Sequence, residues 1–201
     1  LRAPLDFPPL TQAVLSDDRI VIALDDQTPS APALIRGCWD ALSGKIAAEN
    51  LVILCPGSDA DTLEVDPRGD LPDAVAERVR LVRHDPTDSQ HRAYLASSNA
   101  GERLYLSRQL VDADFVMCVG AITYDPLLGF RGTNSVLYPG LSTSEAILKG
   151  RGQGHDELGP HDTRALRQTI DEVGWLLGVQ FALQVIPAGR RKAAQALAGA
   201  R

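Results

Sequence analysis

The sequence has no apolar run approaching the ~20 residues that a membrane-spanning helix needs, so it does not read as an integral helical membrane protein. It also has no basic excess. Its 20 Lys and Arg stand against 26 Asp and Glu, for a formal net charge of -6. Binders of nucleic acid or of anionic membranes need a basic face, so both classes are set aside. A small anionic ligand is not, because a site needs only a few local cations. Cysteine is sparse: Cys38, Cys55 and Cys118 are far apart and odd in number, with no CxxC pair. That pattern carries neither a disulfide framework nor a zinc site. The three read as reduced, buried thiols of a cytoplasmic protein. There is no secretory signal pattern, no internal repeat and no low-complexity tract. The chain begins at Leu1 without a methionine, which reads as a piece of a longer protein.

What is present is an alternation of short apolar runs and longer stretches of helical period, in 201 residues that suit one large domain. "RIVIAL" (19–24), "LVILC" (51–55) and "DFVMCVG" (114–120) read as buried strands. Further strands are expected within 78–85, at 101–107 and at 179–186. Helices are expected at 30–46, with Ser30 as N-cap and Pro32 in the first turn, at 73–79, at about 162–174 and in the Ala/Arg-rich C-terminal segment. Apolar strands separated by helices predict an α/β fold: a Rossmann-like, mainly parallel sheet with helices on both faces. Residues 1–150 form the main unit. Residues 151–201 begin with a glycine-rich loop, part of "KGRGQGHDELGP" (149–160), and continue the same domain as helix, strand and helix.

Ligands of such sheets sit beyond the carboxyl ends of the strands. This rule selects "DDQTP" (25–29), "CPGSD" (55–59) and "GAITYD" (120–125), and brings to them the loop "GFRGTNSVLYPG" (129–140). Gly129 and Gly132 permit left-handed backbone and close approach. Successive N–H groups in such a turn can cradle an anion, with Arg131, Thr133 and Ser135 adding contacts; a plain glycine turn feeding a buried element is the other reading. The loop has no lysine and is neither a P-loop nor G-x-G-x-x-G. Asp25 and Asp26 are adjacent carboxylates at a strand end. One could bind a metal or act as a base, or one caps the turn before the next helix. His84, in "RHDPTD", reads as a structural hydrogen-bonding group, and His91 carries no assignment. His155 and His161 are not spaced i, i+4 and read as solvated loop histidines. No nucleophile is tied to a base.

Taken together in order, these segments resemble the N-terminal domain of the nickel-pincer lactate racemase (LarA-like) family. "IALDDQTPSAP" resembles that family's D-H-T-R-P-x-P segment, and "VILCPGSDADT" its G-T-H-R turn. The run from "VRHDPTD" to "DFVMCVGAI" resembles its N-H-D segment and the strand that follows. "GFRGTNSVLYPGLS" resembles its signature G-F-S-G-G-R-K-S-I-L-P-G, and "DTRALRQTIDEVGWLLGVQFALQVI" its later helix and strand. The resemblance implies a second, C-terminal domain, most of it not within this sequence. It also implies a lysine bonded to a pincer cofactor, a nickel-ligating histidine, two acid–base histidines and an arginine after the first strand. Carried over residue by residue, those positions hold Ser135 for the lysine, Arg151 for the nickel histidine, Ser58 and Asp125 for the acid–base histidines, and Thr28 for the arginine. His155 is the one histidine near the nickel position. Asp25, Pro29, Gly57, Gly129, Phe130, Gly132, Pro139 and Gly140 keep the scaffold.

The expectation is therefore a divergent relative that binds a small anionic or hydroxylated ligand in the strand-end crevice. The ligand-binding set is Asp25, Asp26, Thr28, Ser58, Asp125, Gly129, Arg131, Gly132, Thr133, Asn134 and Ser135, with no catalytic residue and no metal site assigned. The alternatives are a 2-hydroxy-acid racemase or epimerase using a nickel-pincer held non-covalently, and a non-catalytic interaction subunit. Under the first reading no cofactor is assigned; a homo-oligomer is compatible with the sequence.

Overall fold

The computed structural model describes residues 1–57, 65–125, 128–151, 164–189 and 192–200. In chain order the elements are α1 (Leu10–Ala13), β1 (Ile20–Leu24), α2 (Ala31–Leu42), β2 (Leu51–Cys55), α3 (Asp73–Ala76), β3 (Arg80–Arg83), β4 (Arg92–Ser97), β5 (Arg103–Ser107) and α4 (Arg108–Val111). They continue with β6 (Phe115–Ala121), β7 (Thr123–Asp125), β8 (Gly129–Arg131), a 3₁₀ turn (Thr133–Val136), α5 (Ser144–Arg151), α6 (Ala165–Leu176), β9 (Phe181–Pro187) and β10 (Ala193–Ala200).

Every residue of β1, β2 and β6 is buried, which is why these strands read as unbroken apolar runs rather than as alternations. They lie side by side in a six-stranded sheet of order β10-β9-β6-β1-β2-β3. All neighbours are parallel except β10, which runs antiparallel to β9. Ile20 and Ile22 face α1 and α2 in one apolar cluster, together with Ile35, Trp39 and Leu42. Val21 and Ala23 face the opposite side, where Leu166, Ile170 and Val173 of α6 and Leu110 of α4 close a second cluster. The period-2 alternation of side chains thus divides one apolar strand between two cores. The α/β, mainly parallel, double-faced sheet is as expected. No helix among the described residues is long and apolar enough to cross a membrane.

Some local readings need correction. The Ala-rich C-terminal segment is not a helix but β10, because pairing overrides alanine's helical preference. β9 needs a partner on that side, and Leu5 pins the strand further: its N–H donates to the Ala198 carbonyl at 2.8 Å, and its carbonyl accepts from Ala200 N–H at 2.8 Å. Ser30 does precede α2, with Pro32 in the first turn, but at φ 58° its side chain makes no cap. Its hydroxyl instead accepts the Ala193 N–H at 3.3 Å. The helix expected over 73–79 shrinks to α3. The strand near 101–107 is β5, and it pairs with a strand not anticipated, β4, in a separate hairpin. Of the glycine-rich stretch, Lys149–Arg151 end α5; the rest lies outside the described residues.

Candidate functional site

The carboxyl ends of β1, β2, β6 and β9 share one edge of the sheet, and the loops after them build the site. Asp25 follows β1. Its Oδ1 accepts the Gln27 N–H at 3.0 Å and its carbonyl accepts the Thr28 N–H at 3.0 Å, so it shapes the turn. Its Oδ2 accepts from Arg131 Nη2 at 2.7 Å, so it also bridges to the glycine loop. The turn-forming reading of this residue is realised. Asp26 takes Arg83 Nη1 at 3.0 Å, and the same nitrogen donates to the Pro56 carbonyl at 3.1 Å, tying the ends of β1, β2 and β3 together. Burial pushes the Asp26 carboxyl above its ordinary range; Arg83 pulls the other way and the Asp25 charge adds to the rise.

The loop segments pair as a small hairpin, with Thr123 opposite Arg131 and Asp125 opposite Gly129. Asp125 sits at the hairpin's closed end, where its Oδ1 accepts the Leu128 N–H at 3.0 Å. Gly129 (φ 75°) and Gly132 (φ 140°) adopt backbone that side chains disfavour. Ser135 Oγ accepts the Gly132 N–H at 3.0 Å, fastening the entry to the 3₁₀ turn that holds Thr133 and Asn134. Asn134 is completely buried. A Cβ added to Gly174 of α6 would lie 2.3 Å from its amide, so that glycine makes room for it. Beyond the turn, Gly140 rests on the Pro56 ring, and His84 Nε2–H donates to the Ser142 carbonyl at 2.6 Å. His84 is therefore a structural hydrogen-bonding group, though its partner is a distant loop rather than its own turn.

Gln184 of β9 is a residue that sequence reasoning missed. It pairs in register with Gly120 of β6. A Cβ on Gly120 would lie 3.6 Å from that of Asp25, and a Cβ on Gly132 would lie 2.4 Å from Gln184 Oε1. Gln184 thus packs its amide oxygen against Gly132 and shares a row of the sheet with Gly120. Its one sequence signal was a lone amide inside the apolar run "VQFALQVI". Four buried polar atoms in this neighbourhood have no protein hydrogen-bond partner: Thr28 Oγ1, Arg131 Nε, and both amide atoms of Gln184. Three carboxylates, Asp25, Asp26 and Asp125, stand against the guanidinium groups of Arg131 and Arg83, each already ion-paired. The arrangement offers hydrogen-bond donors and acceptors rather than free positive charge.

Among the described residues no group of three or more His, Cys, Asp or Glu is arranged to hold a metal ion. Arg151 ends α5 with its side chain exposed, and a guanidinium has no lone pair to offer a metal. Ser58 and His155 lie outside the described residues.

Known proteins bear on this arrangement in two ways. The solved structure of the lactate racemase apoprotein from Thermoanaerobacterium thermosaccharolyticum matches with a TM-score of 0.77 at 19% identity, over 100% of this chain and 50% of that chain. A crystal structure of a Thermotoga maritima protein matches with a TM-score of 0.63 at 14% identity, over 95% of this chain and 52% of that one. In sequence, a lactate racemase from Thermoanaerobacterium thermosaccharolyticum is 22% identical over 151 residues, which are 74% of this chain and 35% of that protein. The chain therefore spans no more than about half the length of these relatives. The family model for the lactate racemase N-terminal domain matches residues 1–153, a stretch that carries Asp25, Arg83, Arg131 and the whole glycine loop. With most of the chain and most of the strand-end site inside that match, the chain belongs to the lactate racemase N-terminal domain family.

Proposed function

We propose that the chain binds a small hydroxylated ligand, a 2-hydroxy acid first among them, in the strand-end crevice, and does so without lysine-linked nickel-pincer chemistry. One observation carries this reading: buried polar atoms from three separate segments, Thr28 after β1, Arg131 of β8 and Gln184 of β9, lack protein partners. A buried donor or acceptor left unmet costs about 1–3 kcal/mol, so a cluster of them in a crevice favours a polar occupant. Asp25 and Asp26 accept hydroxyl donors, while Arg131 Nε and the Gln184 amide nitrogen donate to a ligand oxygen. A bare anion such as phosphate fits less well, because Arg131 and Arg83 are already matched by carboxylates. Membership of a family whose relatives include a lactate racemase supports the same class, since lactate sets a hydroxyl beside a carboxylate.

The residues present do not fit a lysine-linked nickel group. The loop 129–140 has no lysine, and the Ser135 hydroxyl already holds the Gly132 N–H. Racemisation of lactate through a lysine-linked group is therefore not expected of this chain.

Thermal-shift titration and calorimetry with lactate enantiomers, larger hydroxy acids, neutral polyols and inorganic phosphate test the reading. Hydroxylated compounds should raise the melting temperature with concentration, since a ligand at a hundred times its Kd stabilises by about 2.7 kcal/mol. Phosphate should not. Stabilisation by no hydroxylated compound, or by phosphate alone, would overturn it.

A further inference from the structure

We infer that Gln184 is the residue through which the crevice reads its ligand; this rests on the ligand-binding reading above and assigns its selectivity to a position outside the glycine loop. Gln184 lies on β9, beyond the segment matched by the family model. Its amide Nε2 and Oε1 are both buried, and neither meets a protein partner. An amide in that state lowers the stability of the ligand-free protein, so a purely structural side chain here would better be apolar. The fold instead clears space around it. Its register partner is Gly120, and Gly132 comes so close that a Cβ there would lie 2.4 Å from Oε1. The same Gly132 follows Arg131, whose Nη2 is 2.7 Å from Asp25 Oδ2. The amide oxygen therefore packs against the residue that follows the arginine of the ion pair joining β1 to the loop.

A carboxamide presents an NH2 donor and a carbonyl acceptor side by side on one carbon. That pair complements a ligand with an oxygen acceptor next to a hydroxyl donor, as in a 2-hydroxy carboxylate. Nε2–H meets the carboxylate oxygen and Oε1 accepts the hydroxyl. The Arg131 Nε–H is a second donor for the carboxylate.

Two variants test this. Gln184→Met keeps length and volume but removes both hydrogen-bonding atoms. The ligand-free variant should melt at or above the wild-type temperature, and affinity for the stabilising hydroxy acid should fall by about 10-fold or more, the loss expected for one or two hydrogen bonds. Gln184→Glu keeps the acceptor and replaces the donor with negative charge. It should reject carboxylates while retaining neutral polyols, a change of selectivity that a structural role does not produce. If the wild type binds and Gln184→Met binds equally well, the inference fails while the binding reading stands. A fall in the melting temperature of ligand-free Gln184→Met would show the amide to be structural and would also overturn it. If no hydroxylated compound stabilises the wild type, the binding reading itself fails and this one with it.

Discussion

The hydroxyl of Ser135 accepts the Gly132 N–H at 3.0 Å, so this side chain belongs to the frame of the glycine loop. Ser135→Ala should cost about 1 kcal/mol, as the loss of a side-chain cap usually does, read as a lowered urea midpoint with an unchanged slope. His84 carries a pH-dependent share of stability. Burial lowers its folded pKa below the ordinary 6.5, outweighing the Ser142 carbonyl and the Asp85 carboxylate that favour the charged form. A histidine kept neutral by the fold contributes fully at pH values above 6.5. Below that value the unfolded chain takes up the proton more readily than the folded one, and stability falls. His84→Gln keeps a donor for the Ser142 carbonyl and removes the titration. Melting temperatures between pH 7.5 and 5 should fall less for this variant than for the wild type; parallel curves would refute the assignment.

At the scale of elements, glycine shows how packing decides the sign of one substitution. Gly174 on α6 faces the buried Asn134, and a Cβ there would lie 2.3 Å from its amide. Gly174→Ala forces α6 and the 3₁₀ turn apart, an overpacking that costs about 1–3 kcal/mol. Gly37 on α2 meets nothing within 4 Å. Gly37→Ala should stabilise by about 0.5–1 kcal/mol through helix propensity. Denaturant melts of the two variants should therefore move in opposite directions. The same contrast explains what was legible in the chain. β1, β2 and β6 were plain because complete burial leaves an apolar run in the sequence itself. The strand-end rule then located Asp25 and Arg131, since topology places strand ends without any knowledge of side-chain contacts. β10 was misread because its alanines favour helix locally, while β9 and Leu5, distant in sequence, decide its conformation. Gln184 was missed for a related reason. A single amide in an apolar strand is unremarkable until Gly132, remote in sequence, is seen to make room for it.

At the scale of the whole molecule, the three cysteines report how cooperatively the sheet holds. Cys38, Cys55 and Cys118 form no disulfide and have no exposed surface. Burial pushes Cys38 and Cys55 up to about 12, and at Cys55 the Asp26 carboxylate adds to the rise. The thiolate is the reactive form, and at pH 8 a thiol titrating near 12 is ionised in only about one molecule in 10⁴. Native protein should therefore leave all three unmodified by a thiol reagent over hours, and denatured protein should expose all three. The informative range lies between these limits. Cys38 is on α2 and Cys118 lies inside the central strand β6, so both should react only with global unfolding. Cys55 closes β2 beside the Arg83–Asp26 link, at the edge where the candidate site sits. If the strand-end loops open as a local unit, Cys55 reacts ahead of the other two at low urea, and a bound ligand slows it while leaving Cys38 and Cys118 unaffected. If all three react together at every urea concentration, the crevice shares the stability of the core, and its unpartnered polar groups are held in place by the whole sheet rather than by the loops alone.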